Sequence, residues 1–380
     1  MISKDIHIKA LPRVKFFIIP PNYYKGEYQH ESICLAEGFQ ELGVEFYGVN
    51  EYWFDLDTGK YLIQKAPDDF KADIHIYNQY YLIHFPEEIT RVDYSLINIL
   101  IDVEDGLYSA YSSKNIYSRF NLILRSHFNK KIKYSAYHPN IQPWAFGLSK
   151  RIMNQIDQTQ SSVVKDQVLI NYRVNQSIRD LALEQFTPPL KTKYNIYNYT
   201  TDTSEQALEL FLKKDLSFWT QTNKRHDPRY YELLNESLLT YAFGGFLHIK
   251  PFATNRINRQ LQIFYKLKKY VLQKAGQDTS DCYLISQFDS WRWWETLYSN
   301  TCPIHMNFED WNWVLPEMPL EGVHYWGVKR FEFGQSATEL LALSRQEILE
   351  IGKKGRSWVS EHYSPVAVAK RFLRIMNSLK

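Results

Sequence analysis

Cysteine is scarce in this chain: Cys34, Cys282 and Cys302 are the only three in 380 residues. An odd number spaced so widely suits a reducing compartment, and builds neither a disulfide framework nor a zinc site. Net charge is nearly absent as well. Against 45 Lys and Arg stand 42 Asp and Glu, a formal balance of +3, so no polyanionic partner follows from overall charge. Nucleic acid stays open as a partner only through local patches. Long hydrophobic runs are missing too: the N-terminal MISKDIHIKALPRVKFFIIPP holds an apolar stretch too short to span a bilayer and no small-residue cleavage site. No transmembrane segment is expected, and the expected localisation is cytoplasmic, free or peripheral to a membrane.

Aromatic residues, in contrast, are abundant. The 28 Tyr, 22 Phe and 10 Trp supply apolar area for large cores and amphipathic surface that stacks on sugar rings or bases. A chain of 380 residues exceeds one ordinary core, so two domains are predicted.

Apolar runs and helical periodicity alternate along the chain. Val14 to Ile19 reads as a strand, Ile33 to Leu42 as an amphipathic helix closed by Gly43, and Val44 to Val49 as a second strand. Ala72 to Tyr77, Leu96 to Ile101 and Leu122 to Arg125 read as further buried strands. Buried strands that end in acidic or polar loops favour a parallel sheet with its site at the strand C-termini. The polar stretch Met153 to Asp166 is the best linker candidate. A second series follows: a strand at Gln167 to Ile170, helical segments at Ile178 to Gln185 and Tyr230 to Thr240, a strand at Phe246 to Ile249, a helix at Asn258 to Lys274 and a strand at Asp281 to Ile285. Helices at Ser336 to Arg345, Gln346 to His362 and Val366 to Leu379 close the chain, the last with Pro365 at its start.

The densest chemistry lies in residues 286 to 328, SQFDSWRWWETLYSNTCPIHMNFEDWNWVLPEMPLEGVHYWGV. A polar turn, Ser286 to Ser290, leads into a short helix, Trp291 to Tyr298, and then a strand, Thr301 to Met306. Arg292 and Glu295 stand three apart, on one helical face. Such a pair is also the ordinary spacing of a surface ion pair worth a few tenths of a kcal/mol. Three tryptophans on the same helix argue that it is packed, and buried charge then calls for a partner.

The run W-R-W-W-E-T-L-Y-S-N-T-C-P-I, residues 291 to 304, resembles the R-x-x-E-A-L-A-A-G-x-x-P-V stretch of GT-B glycosyltransferases, exostosin-like and related bacterial enzymes in particular. Glu321-Gly322-Val323-His324-Tyr325 is similar to a G-x-H-Y strand of that family. The resemblance implies an α/β fold of two Rossmann-like domains facing a cleft: an acceptor domain over 1–160, a nucleotide-sugar domain over 161–362, and a C-terminal helix, 363–380, crossing back onto the first. It also implies that Glu295 contacts the donor ribose and that Ser290 and Trp291 lie on the donor side. This chain departs from the pattern in three places. Gln287 stands where retaining members carry a second glutamate, Ser299-Asn300-Thr301 replaces Ala-Ala-Gly, and Asp289-Ser290-Trp291 replaces a glycine-rich loop.

Sugar transfer from a nucleoside diphosphate requires stabilisation of the departing diphosphate by Arg, Lys, a helix N-terminus or a metal. Asp55-Leu56-Asp57 has the form of a metal-binding pair but the setting of a solvated turn, so no metal and no other essential cofactor is expected beyond the nucleotide-sugar co-substrate. The candidate donor contacts are Asn171, Arg173, Arg179, Lys250 and Arg292. Activation of the acceptor hydroxyl needs a base if the anomeric centre inverts. Asp105 is the first choice, with Asp102 and Glu104 beside it and His30 and His127 as alternatives; a capping or turn-solvating carboxylate and a hydrogen-bonded structural histidine are the competing readings. Tyr23 to His30, and Trp311 with Trp313, could stack on substrate or simply pack. The expected function is transfer of a sugar to a hydroxyl acceptor, a glycan or glycoconjugate. A nucleotide-sugar epimerase on the same scaffold and a non-catalytic binder of glycan or single-stranded nucleic acid are the alternatives.

Overall fold

The computed structural model describes residues 11–20, 28–55, 58–106, 114–136, 138–159, 166–172, 176–200, 221–222, 228–249 and 259–379. Tyr23, Tyr24, Asp57, Arg173 and Lys250 lie outside the described residues.

The first part of the chain supplies β1 (Val14–Phe17), β2 (Phe46–Gly48), β3 (Tyr52–Asp55), β4 (Lys60–Ile63), β5 (Ile74–Asn78), β6 (Ile97–Asp102), β7 (Leu122–Arg125), β8 (Phe128–Asn129) and β9 (Ile141–Pro143). Six of these form one sheet in the order β2-β1-β5-β6-β7-β9, every neighbour parallel. Continuous apolar runs such as Ile97–Asp102 are buried on both faces, which suits a parallel sheet covered by helices. The later part supplies β10 (Gln167–Ile170), β11 (Asn195–Asn198), β12 (Ser237–Tyr241), β13 (Phe246–Ile249), β14 (Tyr283–Ser286), β15 (Cys302–Met306), β16 (Trp313–Val314) and β17 (Trp326–Val328). A second parallel sheet runs β11-β10-β12-β15-β17. In each sheet the strand order reverses beside the first strand, between β1 and β5 and between β10 and β12. Those switch points open crevices at the strand C-termini.

Several elements differ from the sequence expectation. Tyr230 to Thr240 is not one helix. The helix Pro228–Glu236 ends where the Ser237 hydroxyl donates to the Leu233 carbonyl at 2.6 Å, and the fully buried β12 begins at once. Leu234 and Leu238 keep helical spacing across that joint, which hides it. The predicted linker from Met153 begins inside a helix, Lys150–Gln158, whose Ile152 and Ile156 enter the core of the second sheet. Packing therefore divides between Trp144 and Ala145, ahead of residue 160. β13 and β14 form an antiparallel ribbon of their own, apart from the parallel sheet. Gly322 to Tyr325 is a turn, and the strand follows it at Trp326. The first helix starts at His30, drawing three polar residues out of the predicted loop.

The helix Pro365–Leu379 returns to the first half and lies on His30–Leu42, with Val368, Ala369, Phe372, Leu373 and Met376 in that core. The close approach depends on Gly38. A Cβ there would fall inside van der Waals contact of the Pro365 carbonyl and 2.6 Å from the Ala369 Cβ. Backbone cannot yield cheaply, so Gly38→Ala is expected to destabilise the protein by about 1–3 kcal/mol, despite the helix propensity it adds. Equilibrium urea denaturation checks this; unchanged stability would mean the helix is not held there.

Candidate active site

The C-terminal ends of the first sheet present one wall of the crevice. β6 ends in Asp102 and passes into Val103-Glu104-Asp105; β7 ends in Arg125 and passes into Ser126-His127. Asp102 is fully buried. It pairs with equally buried Arg125 at 2.5 Å and accepts the Tyr117 hydroxyl. Both carboxylate oxygens are engaged, so Asp102 is a structural counterion and not an available base. Glu104 accepts from the Gln79 amide at 2.9 Å, and Gln79 in turn accepts the Val103 N–H at 2.8 Å. That ring holds the turn and leaves the exposed Asp105 carboxylate at its outer edge.

Asp105 receives two neighbours. His127 Nε2 lies 3.4 Å from one oxygen, and the Gln287 amide donates to the other at 2.8 Å. His127 itself is buried, in a left-handed backbone conformation (φ 52°). Its Nδ1 accepts the Asp289 N–H at 3.1 Å, which places the proton on Nε2, facing Asp105. His127 is thereby set as a donor. His30 is unsuited to act as base: Nδ1 meets the Tyr28 hydroxyl at 3.0 Å and Nε2 meets the Gly147 carbonyl at 3.0 Å.

Glu31 was not among the sequence candidates. It is buried on the first helical turn after β1, and its Oε1 has no hydrogen-bond partner among the described residues. Burial, reinforced by the charges of Asp289 and Asp105, pushes this carboxyl well up and favours its protonated form. The signal was its position: the residue follows the first strand of a parallel sheet, where such sheets place their chemistry. The apolar periodicity starts only at Ile33, so by sequence Glu31 falls in a loop.

The second wall is built by the turn after β10 and by the helix Trp291–Tyr298. Arg292 Nη2 donates to Asn171 Oδ1 at 3.2 Å, and its guanidinium lies 5.8 Å from the centre of the Tyr172 ring. Arg179 approaches the same ring at 4.9 Å and donates from Nε to the Phe243 carbonyl at 3.0 Å. Burial, then the Arg292 charge, lowers Arg179 to about 10. Arg292 has no carboxylate partner among the described residues. Around it Asn171 Nδ2, Tyr172 Oη, Ser290 Oγ and Arg292 Nε are buried without hydrogen-bond partners there. Two cations and a set of unanswered polar groups thus converge at the switch point of the second sheet.

Glu295 does not share that pocket. It is buried and accepts the Tyr231 hydroxyl at 2.9 Å, while Tyr231 accepts from Arg151 at 2.9 Å. Arg292 and Glu295 do not pair, and Glu295 is not placed to hold a ribose. Trp291 packs against the first core through Tyr28 and also meets Phe146 of the second half, with ring centroids 5.5 Å away in each case, so it joins the halves. Trp311 and Trp313 are core residues: Trp313 stacks on Phe288 at 4.5 Å, and β16 pairs with β8 across the halves. Asp55 accepts the Thr58 hydroxyl at 2.9 Å in the β3–β4 turn. Among the described residues, no group of three or more His, Cys, Asp or Glu is arranged to hold a metal ion, and no helix is long and apolar enough to cross a membrane.

Asp289 and Gln287 tie the walls together. The Asp289 carboxylate accepts the Trp294 indole N–H at 2.7 Å and the Phe146 N–H at 3.0 Å; burial raises it to about 6. Gln287, itself left-handed (φ 56°), accepts from Gln176 at 2.8 Å while donating to Asp105, and Gln176 accepts the Gly245 N–H at 2.9 Å. An unbroken chain of amides runs from the second sheet to the acidic turn of the first.

No family model matches the chain, and no curated protein matches it. Solved structures do. A glycosyltransferase from Rickettsia africae ESF-5 is 13% identical, with 97% of this chain and 98% of that chain covered and a TM-score of 0.51. An Anabaena protein, HepE, in complex with UDP-glucose is 9% identical, with 97% and 100% covered and a TM-score of 0.48. A Listeria monocytogenes protein assigned as a UDP-N-acetylglucosamine 2-epimerase is 9% identical, with 97% and 96% covered and a TM-score of 0.45. The likeness to the Rickettsia enzyme spans both chains and shows the fold, the GT-B arrangement of two Rossmann-like α/β halves.

Because Asp102 neutralises a buried guanidinium, Asp102→Asn is expected to lower unfolding free energy by about 3–5 kcal/mol. A base acting in the cleft would lose turnover with stability intact. Denaturant titration of the purified variant separates the two.

Proposed function

We propose that this protein is a glycosyltransferase that moves a sugar from a nucleoside diphosphate to a hydroxyl acceptor, a glycan or glycoconjugate, without an essential metal. The observation that carries this reading is the meeting of Arg292 and Arg179 over Tyr172, beside Asn171, Tyr172 and Ser290 atoms that have no partner among the described residues. Buried polar groups of this kind call for a ligand rich in acceptor atoms, and a diphosphate is one. Its location at the C-terminal end of β10, beside the N-terminus of the helix Trp291–Tyr298, suits an anion. The GT-B fold adds support.

Across the crevice, Asp105 is the group to receive a proton. Its carboxylate is exposed, held by the Gln287 amide with His127 Nε2 3.4 Å away, and an acceptor hydroxyl reaching it would lose its proton there while its oxygen bonds to the anomeric carbon. The bond from that carbon to the diphosphate breaks, and the diphosphate departs with its charge met by Arg292 and Arg179. This assignment belongs to an inverting transfer. Arg173 and Lys250 retain their place as further phosphate contacts in the proposal. The exostosin-like assignment loses its ribose contact at Glu295, so the proposal stands on the arginine pocket and not on that motif.

Calorimetry against a panel of nucleoside diphosphates tests the donor side. One nucleotide is expected to bind, and Arg292→Ala to weaken it by about 1.5–3 kcal/mol, roughly 10- to 100-fold. Absence of nucleotide-dependent heat from the native protein would remove the donor site and leave a glycan or nucleic-acid binder. With the donor identified, Asp105→Asn is expected to lower turnover by at least about 100-fold while leaving nucleotide affinity unchanged. Donor consumption without any acceptor would instead indicate an epimerase.

A further inference from the structure

The helix Arg259–Lys274, RQLQIFYKLKKYVLQK, is the segment that the cleft does not account for. It connects β13 to β14 and carries Lys266, Lys268, Lys269 and Lys274 with no acidic residue along its length. Its apolar side chains point the wrong way for a soluble surface. Ile263, Phe264, Leu267, Tyr270 and Val271 are exposed by 55%, 56%, 58%, 58% and 61%. Tyr265 and Leu272 are half-buried, and Lys269 reaches over the Tyr283 ring at 5.1 Å. At about 100° per residue the five exposed side chains fall within a stripe of roughly 120° on the opposite face. Lys266 borders the stripe on one side and Lys268 on the other.

A water-facing stripe of this size is unusual in a monomeric protein and marks an interaction surface. Two features select the partner. Lysines on both borders would place ammonium groups at headgroup level while their stems follow the apolar stripe, and a mixed Phe, Tyr and Leu face suits the interfacial zone of a bilayer. A second copy of the same helix would bring together these lysines, which have no acidic partner among the described residues. We infer that this helix lies in the surface of an anionic lipid bilayer and attaches the protein peripherally. The ribbon it joins runs directly into the Gln287 turn, since β14 ends at Ser286. Attachment therefore acts through the segment that supplies the second wall of the crevice.

Co-sedimentation of the full chain with two vesicle preparations provides the test: phosphatidylcholine alone, and phosphatidylcholine with about one-third phosphatidylglycerol. Binding is expected to the second, reduced by raised salt. Phe264→Glu with Leu267→Glu is expected to lower the bound fraction at least roughly tenfold. Lys266→Gln with Lys268→Gln is expected to weaken binding to anionic vesicles and to leave any residual binding insensitive to salt. The altered side chains face water, so thermal melting of all variants should match the parent. Failure to sediment with anionic vesicles would overturn the inference, as would sedimentation unaffected by the glutamate variants. Concentration-dependent dimerisation of the parent, lost in Phe264→Glu with Leu267→Glu, would assign the face to a second copy of the chain and overturn it equally.

Discussion

Asp289 is the group on which the geometry of the crevice rests. A carboxylate taken out of water must be answered by donors, here the Trp294 indole and the Phe146 amide, both packed with the second core. The Asp289 backbone N–H meanwhile occupies His127 Nδ1. One residue thus joins the halves, starts the helix Trp291–Tyr298 at a set angle, and selects the histidine tautomer that faces Asp105. Moving Asp289 would disturb the arginine-bearing wall and the acidic turn together.

Charge in this molecule is sorted by whether it is answered within the fold. Arg125 meets the carboxylate of Asp102, and Arg151 meets the Tyr231 hydroxyl that Glu295 accepts, so each of these buried cations has an anionic group in its set, although Arg125 Nε and Arg151 Nε and Nη2 lack hydrogen-bond partners among the described residues. They secure the sheets with their charge balanced inside the fold. The Arg292 pocket is the reverse case. Its guanidinium has an amide oxygen and an aromatic face for company, and the surrounding polar atoms lack partners among the described residues. That imbalance distinguishes a binding pocket from packing, and it places Arg292 and Glu295, three residues apart on one helix, in opposite roles.

Much of the fold was legible because buried parallel strands leave continuous apolar runs, as at Ile97–Asp102 and Leu122–Arg125. The arginines of the second-sheet pocket and the acidic turn were legible for a related reason: they stand next to such runs, and the C-terminal ends of parallel strands are where crevices open. Asp105 and His127, candidates from separate segments, prove to be neighbours. What misled was local periodicity. The joint at Ser237 preserves helical spacing through Leu234 and Leu238, and the polar residues His30 and Glu31 resemble loop although they open a helix. The i,i+3 spacing of Arg292 and Glu295 suggested a shared face, but neighbouring elements drew the two side chains apart.

By itself the amino-acid order determined the alternation of strand and helix, the presence of two α/β halves and the absence of disulfide support, because these follow from apolar patterning and composition along the chain. Only the tertiary structure decided which charges remain unanswered. Asp102, Glu295, His30 and Trp291 carry the same chemical groups as functional residues do, and nothing local marks them as structural. Their roles are settled by partners distant in the chain: Arg125, Tyr231, Gly147 and Phe146. Solvation and pairing in three dimensions, and not residue type or spacing, determine whether a buried polar group belongs to the fold or awaits a ligand.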